Sequence, residues 1–134
     1  MAASTIRWAG VRLTMEGAQE FKKSMGDINN QLKTSQAELN KVTNAFGKNE
    51  QNATTLAAKQ RHLEESFRLN KEAIALTSNK LEEAEENFGK NSSEAIALRR
   101  ELAYLEAEQA NLQRALDETN RAIAGQKWTE LGER

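Results

Sequence analysis

Apolar side chains recur every seven residues through most of this chain. Counting in sevens from Met25 gives Leu32, Leu39, Phe46, Ala53, Gln60, Phe67, Ile74, Leu81, Phe88, Ala95, Leu102, Gln109, Leu116 and Ile123; with Met25 itself, thirteen of the fifteen are apolar. A companion line runs through Phe21, Ile28, Ser35, Val42, Asn49, Leu56, Leu63, Asn70, Thr77, Ala84, Asn91, Leu98, Leu105, Leu112 and Thr119, where nine of fifteen are apolar. The two lines alternate at spacings of three and four, which is the a/d pattern of helices packed along a narrow seam. The expected fold is mainly α, built from long heptad-patterned helices as a coiled coil or as helical hairpins. The large apolar members of both lines are the candidate packing residues.

Two stretches interrupt the helical pattern, FGKNEQN at 46–52 and FGKNSS at 88–93. Gly47 and Gly89 each follow a phenylalanine and fit the left-handed position that ends many helices. Asn49, Asn52, Asn91 and Ser93 can cap the helix that follows, and Asn91 with Glu94 resembles a reciprocal capping box. The spacing predicts helix 1 over 17–46, helix 2 from Ala53 to Phe88, and helix 3 from Ser93 to about Gly125. Trp128 and Leu131 then trail toward a tail at 131–134. Residues 1–16 differ from the rest. Ile6, Trp8, Val11, Leu13 and Met15 alternate with Arg7, Arg12 and Thr14, the period of a half-buried strand. A short N-terminal β-strand is expected there, interrupted at Gly10 and needing a partner to be stable.

The breaks open an internal repeat. A shift of 42 residues lays Phe46-Gly47-Lys48-Asn49 on Phe88-Gly89-Lys90-Asn91 and superposes Leu56 on Leu98, Leu63 on Leu105, Ile74 on Leu116 and Leu81 on Ile123. The units are 47–88 and 89–130, each a turn plus a helix. Forty-two is six heptads, so each copy adds length without rotating the apolar face. Within the seam, Gln60, Asn70, Thr77, Gln109 and Thr119 are polar. Such residues either fix register by finding a partner or mark places where packing loosens.

Composition narrows the function classes. The 134 residues suffice for one domain or a piece of something longer, with 38% hydrophobic and 29% charged side chains in coiled-coil proportion. Proline is absent, so nothing forces a kink; cysteine is absent, so disulfides and thiolate metal sites are excluded. The formal charge is −1 with acidic and basic residues mixed, and no clustered basic face marks a specific nucleic-acid partner. No stretch of 18 apolar residues exists to cross a membrane, and a cytosolic site of synthesis is the default.

Candidate chemistry is thin. The two Gly-Lys pairs lack the upstream glycine, the following Ser or Thr, and the strand of a phosphate loop. His62 has no companion at catalytic or metal-binding spacing and reads as a solvated helical side chain. Glu82, Glu83, Glu85 and Glu86 spread around a helix rather than converging. The glycosylation-like triplets at Asn52 and Asn91 sit in cap-rich turns. No catalytic residue, metal site or cofactor is expected, and an enzyme is not.

From Phe88 onward, FGKNSSEAIALRRELAYLEAEQANLQRALDETNRAI resembles the amino-terminal region of tape measure proteins, minor tail proteins of tailed bacteriophages. The opening is similar as well: a short strand, Ile6 to Met15, leading into GAQEFKKSMGDINNQLK at 17–33. The likeness spans about residues 5–125. Members of that family run to many hundreds of residues, so the resemblance implies an amino-terminal fragment. It further implies a virion structural protein that scaffolds the tail tube and sets tail length by helical span. Partners would be further copies of itself and tail-tube or tail-assembly proteins, met in the host cytoplasm during assembly and then in the tail lumen. The alternative is a generic cytosolic coiled-coil adaptor. The in-phase repeat favours a straight form and the glycine turns a hairpin. The isolated chain is expected to fold back, with an extended form in an assembled tail.

Overall fold

The computed structural model describes residues 17–46 and 52–132. It contains three long helices, α1 (Ala18–Phe46), α2 (Ala53–Phe88) and α3 (Ser93–Gly132), and no strand among the described residues. The strand expected over 1–16 and the first break, with Gly47 and Asn49, lie outside the described residues.

Local chemistry sets the helix ends. Gly17, at φ 76, precedes α1, and its carbonyl accepts the first helical bond from the Phe21 amide at 3.0 Å. Asn52 caps α2: its side chain accepts from the Thr55 amide at 2.9 Å, while the Thr55 hydroxyl accepts from the Asn52 amide at 3.2 Å. This is a capping box with threonine in place of the usual glutamate. Helix α2 ends where Gly89 takes φ 93, a conformation other residues adopt only with strain. The Gly89 amide still donates to the Glu85 carbonyl at 3.0 Å.

Two sequence expectations change here. The cap of α3 is Ser92, whose hydroxyl oxygen accepts from the Ala95 amide at 3.1 Å, rather than Asn91 or Ser93. The turn itself decides this, because the Ser92 amide and hydroxyl both donate to the Gly89 carbonyl, at 3.2 and 2.8 Å. Ser92 is thereby fixed three residues before Ala95, and Asn91 is left exposed. Helix α3 also runs through Gly125 to Gly132 instead of ending there. One glycine costs a helix only about 1 kcal/mol relative to alanine, and no proline follows to stop it.

Cross-helix contacts fix the arrangement. Ser35 on α1 bonds His62 on α2, and a side chain added at Gly17 would meet the Lys80 ammonium, so α1 runs antiparallel to α2. Gln60 bonds Asn120, Asn70 bonds Leu105 and Gln109, and Glu85 pairs with Arg99, so α3 runs antiparallel to α2. The chain is a three-helix, up-down-up arrangement with α2 in the middle, and its α3 neighbour packs along it more extensively than α1 does. The longest helix, at 40 residues, spans about 60 Å.

The core falls into two parts. The larger joins Phe21, Met25, Ile28 and Leu32 of α1 to Leu69, Ala73 and Ala84 of α2 and to Ala95, Leu98 and Leu105 of α3. The smaller joins Leu63, Leu112 and Leu116 with Phe67 and Ala115, and takes no side chain from α1. Burial of each large apolar side chain stabilises by about 1.5–3 kcal/mol.

Substitutions should separate core from tip. Leu98→Ala, at a site with 0% exposure, is expected to cost about 2–5 kcal/mol. Phe88→Ala, at 43% exposure, should stay within roughly 0.5 kcal/mol. Urea denaturation followed by far-UV circular dichroism measures both, and equal losses would contradict this division.

Candidate functional site: the interhelical packing face

The face is built from α2 outward. In α2 and α3 every member of the companion heptad line is buried, namely Leu56, Leu63, Asn70, Thr77 and Ala84, then Leu98, Leu105, Leu112 and Thr119. Of the richer line, Phe67, Ile74, Leu81 and Leu102 are only half-buried, and Ala95 and Leu116 are its buried members in α2 and α3. The more polar line therefore lies at the centre. Its small members allow the helices to approach until the Asn70 amide reaches a main-chain oxygen of α3. Asn70 Nδ2 donates to the Leu105 carbonyl at 2.9 Å and to Gln109 Oε1 at 2.8 Å.

Seven-residue steps along α2 match seven-residue steps back along α3. Leu63 clusters with Leu112, and Asn70 bonds Leu105. Leu63 and Leu105 are counterparts in the 42-residue repeat, as are Asn70 and Leu112. The two copies therefore meet about an approximate two-fold axis, each presenting the same face to the other. Gln60 Nε2 donating to Asn120 Oδ1 at 2.8 Å adds a second amide contact near one end. At the other end Arg99 joins Glu85 at 2.9 Å and the Lys90 carbonyl at 3.1 Å, tying the turn to both helices. This exposed pair contributes little on its own, roughly 0.2–1 kcal/mol.

The remaining candidate packing residues divide by position. Phe21, Met25, Ile28 and Leu32 are buried on α1, and Leu116 is buried on α3. Leu39, Val42 and Ile123 are half-buried. The side chain of Phe46 is outside the described residues. Phe88 is exposed; among the described residues α1 begins opposite Lys80, so only α3 lies beside the last turns of α2.

Several buried residues escape the heptad reading. Leu69 at 0% exposure, Ala73 and Ala58 lie off both lines. A middle helix must cover two neighbours, so its apolar stripe is wider than a two-helix seam. Leu69 and Leu76, seven apart beside the marked lines, are the signal that reveals it. Glu101 and Glu108 are buried too, although charge alone places them in solvent.

His62 departs from its expected solvated place. Its ring is half-buried, and Nδ1 shares a 2.7 Å hydrogen bond with the Ser35 hydroxyl across α1 and α2. Burial lowers its pKa from the ordinary histidine value. Burial raises the pKa of Glu108, whose Oε1 is shut from solvent without a hydrogen-bond partner. Among the described residues no three His, Cys, Asp or Glu side chains gather to hold a metal ion. None of the described helices is long and apolar enough to cross a membrane. What the arrangement does chemically is fix register between long helices.

Compared with known proteins, the chain matches no family model, no curated protein and no solved structure.

The two shifted groups act on stability with different signs. His62, with its lowered folded pKa, contributes stability that is complete above about 6.5 and lost as pH falls through the folded value. Glu108, with its raised folded pKa, contributes stability that is complete below about 4.5 and lost as pH rises through the folded value. Glu108→Gln should therefore raise the Tm at pH 7 and leave it nearly unchanged at pH 4. Thermal melts of both proteins across that range check the sign; a lowered Tm at pH 7 would contradict it.

Proposed function

We propose that this chain is a structural scaffold, the amino-terminal part of a phage tail tape measure protein, in which helical span sets tail length. One observation carries the reading. Two 42-residue units follow one another in heptad phase and bury corresponding positions, Leu56 with Leu98, Leu63 with Leu105 and Thr77 with Thr119. A unit that repeats its packing face can be added or removed without rebuilding what it packs against. The resemblance at GKNSSEAIALRRELAYLEAEQANLQRALDETNRAI and in the opening residues supports the same assignment.

On this reading the helices open at the Gly-Lys-Asn turns in an assembled tail and run as coiled coils with other copies. Tail-tube subunits polymerise around them. Each 42-residue unit then accounts for about 63 Å of straight helix.

A second reading has an observation of its own. The buried Asn70 amide bridging α2 and α3 favours the folded-back state, in which a repeat unit adds thickness rather than reach. A cytosolic coiled-coil adaptor would use the hairpin in this form, joining two partners without measuring anything.

Deleting residues 47–88 in the parent gene distinguishes the two. The ruler reading expects virions whose tails are shorter by about 63 Å in electron micrographs. Tails of unchanged length, or a native gene product that co-purifies only with non-tail proteins, would favour the adaptor.

A further inference from the structure

Helix α2 has neighbours on two sides and an open flank on the third. It meets Ser35 of α1 at His62 and Gly17 at Lys80, and Leu69 and Ala73 are buried on that side. It meets α3 on the other side through Gln60, which bonds Asn120, and Glu85, which pairs with Arg99. At about 100° per residue, Leu69 stands about 160° around the helix from Phe67 and about 140° from Ile74. Phe67, Ile74 and Leu81 therefore form a stripe turned away from α1, and each is only half-buried. Phe88, at 43% exposure, continues the stripe to the end of the helix. Helix α3 shields one edge of it, and among the described residues no other helix shields the second edge. An apolar stripe left open in this way marks an interaction surface.

The residues along the open edge are sorted by charge. Arg68 and Lys71 come first, then Ala75 and Ser78, then Glu82 and Glu85; all are exposed except Glu85, which is half-buried. The Lys71 ammonium stands 5.8 Å from the centre of the Phe67 ring, so its charge lies beside the apolar stripe. A half-turn about an axis between Ala75 and Ser78 exchanges the basic half for the acidic half. Lys71 then faces Glu82, Arg68 faces Glu85, Ile74 faces Leu81 and Phe67 faces Phe88. The small side chains of Ala75 and Ser78 fall on the axis, where two helices come closest.

We propose that a second copy of this chain docks on this flank, α2 against α2 in antiparallel order about that two-fold axis. One self-complementary surface satisfies both charged halves, which a uniformly acidic or basic partner does not. A copy laid parallel and in register would set Lys71 against Lys71 and Glu82 against Glu82. The contact from Phe67 to Phe88 covers about 33 Å of helix. Exposed ion pairs are individually weak, so the apolar stripe supplies the affinity and the charges choose the direction. The pairing belongs to the folded-back chain and is separate from contacts between extended copies in a tail.

Sedimentation equilibrium of the full 134-residue chain at low ionic strength tests this, with a monomer–dimer equilibrium expected. Ala75→Glu, at an exposed site on the axis, should weaken the dimer at least tenfold while circular dichroism shows unchanged helix content. Lys71→Glu and Glu82→Lys should each weaken it several-fold, because the two-fold axis repeats every contact. The double variant Lys71→Glu/Glu82→Lys should regain the parent affinity, and the two single variants mixed should pair more tightly than either alone. These charge variants carry the test if Ala75→Glu does not fold. A chain that stays monomeric at high micromolar concentration would overturn the proposal. So would an assembly that Ala75→Glu leaves intact, or single charge reversals that the double variant does not rescue. The outcome does not depend on whether the chain measures tails.

Discussion

The close contact of α2 with α3 governs this molecule. Along it Leu56, Leu63, Asn70 and Thr77 of one helix oppose Leu98, Leu105, Leu112 and Thr119 of the other, in antiparallel order. Small side chains at Ser66, Ala73, Ala84 and Ala95 let the backbones come near, and nearness makes the Asn70 bond to the Leu105 carbonyl possible. A register shift by one heptad would leave Asn70 facing another main-chain carbonyl but would take away its Gln109 partner, so this side-chain pair favours the observed register.

Helix α1 is held less evenly. Phe21, Met25, Ile28 and Leu32 enter the main core, whereas Leu39 and Val42 are only half-buried. Beside those two residues a groove of about 710 Å³ runs between α1 and α2, lined also by Ala58 and His62. The Ser35–His62 hydrogen bond stands where this looser half begins. Uneven packing of this kind places the lowest opening free energy at one end of a helix rather than spreading it along the whole. An extended state reached from the folded one would begin there, by release of the second half of α1.

The heptad count located three helices, and the expected ends of α2 agree at Asn52 and Phe88; Gly89 has a positive φ of 93 but a ψ of 157, outside the left-handed helical region expected of it. The count does not say which of the two lines lies deepest. Phe67, Ile74 and Leu81 are larger and more apolar than Asn70, Thr77 and Ala84, yet the latter are buried. Periodicity reports the angle between apolar residues around one helix, not where its neighbours stand. Leu69 and Glu108 were hidden for the same reason, since each faces a direction that exists only once three helices have been brought together.

The amino-acid sequence by itself determined that these residues form long helices, that Asn52 caps α2, and that two 42-residue units share one phase. Those properties follow from local sterics, capping hydrogen bonds and the period of the apolar pattern. The glycine turns led to the expectation that the isolated chain folds back; only the tertiary structure decided the pairing of the helices, that α2 serves two neighbours, and that Asn70, His62 and Glu108 lie inside. Heptad seams are satisfied equally by straight and hairpin partners. The choice rests on contacts between residues tens of positions apart, which no local pattern encodes.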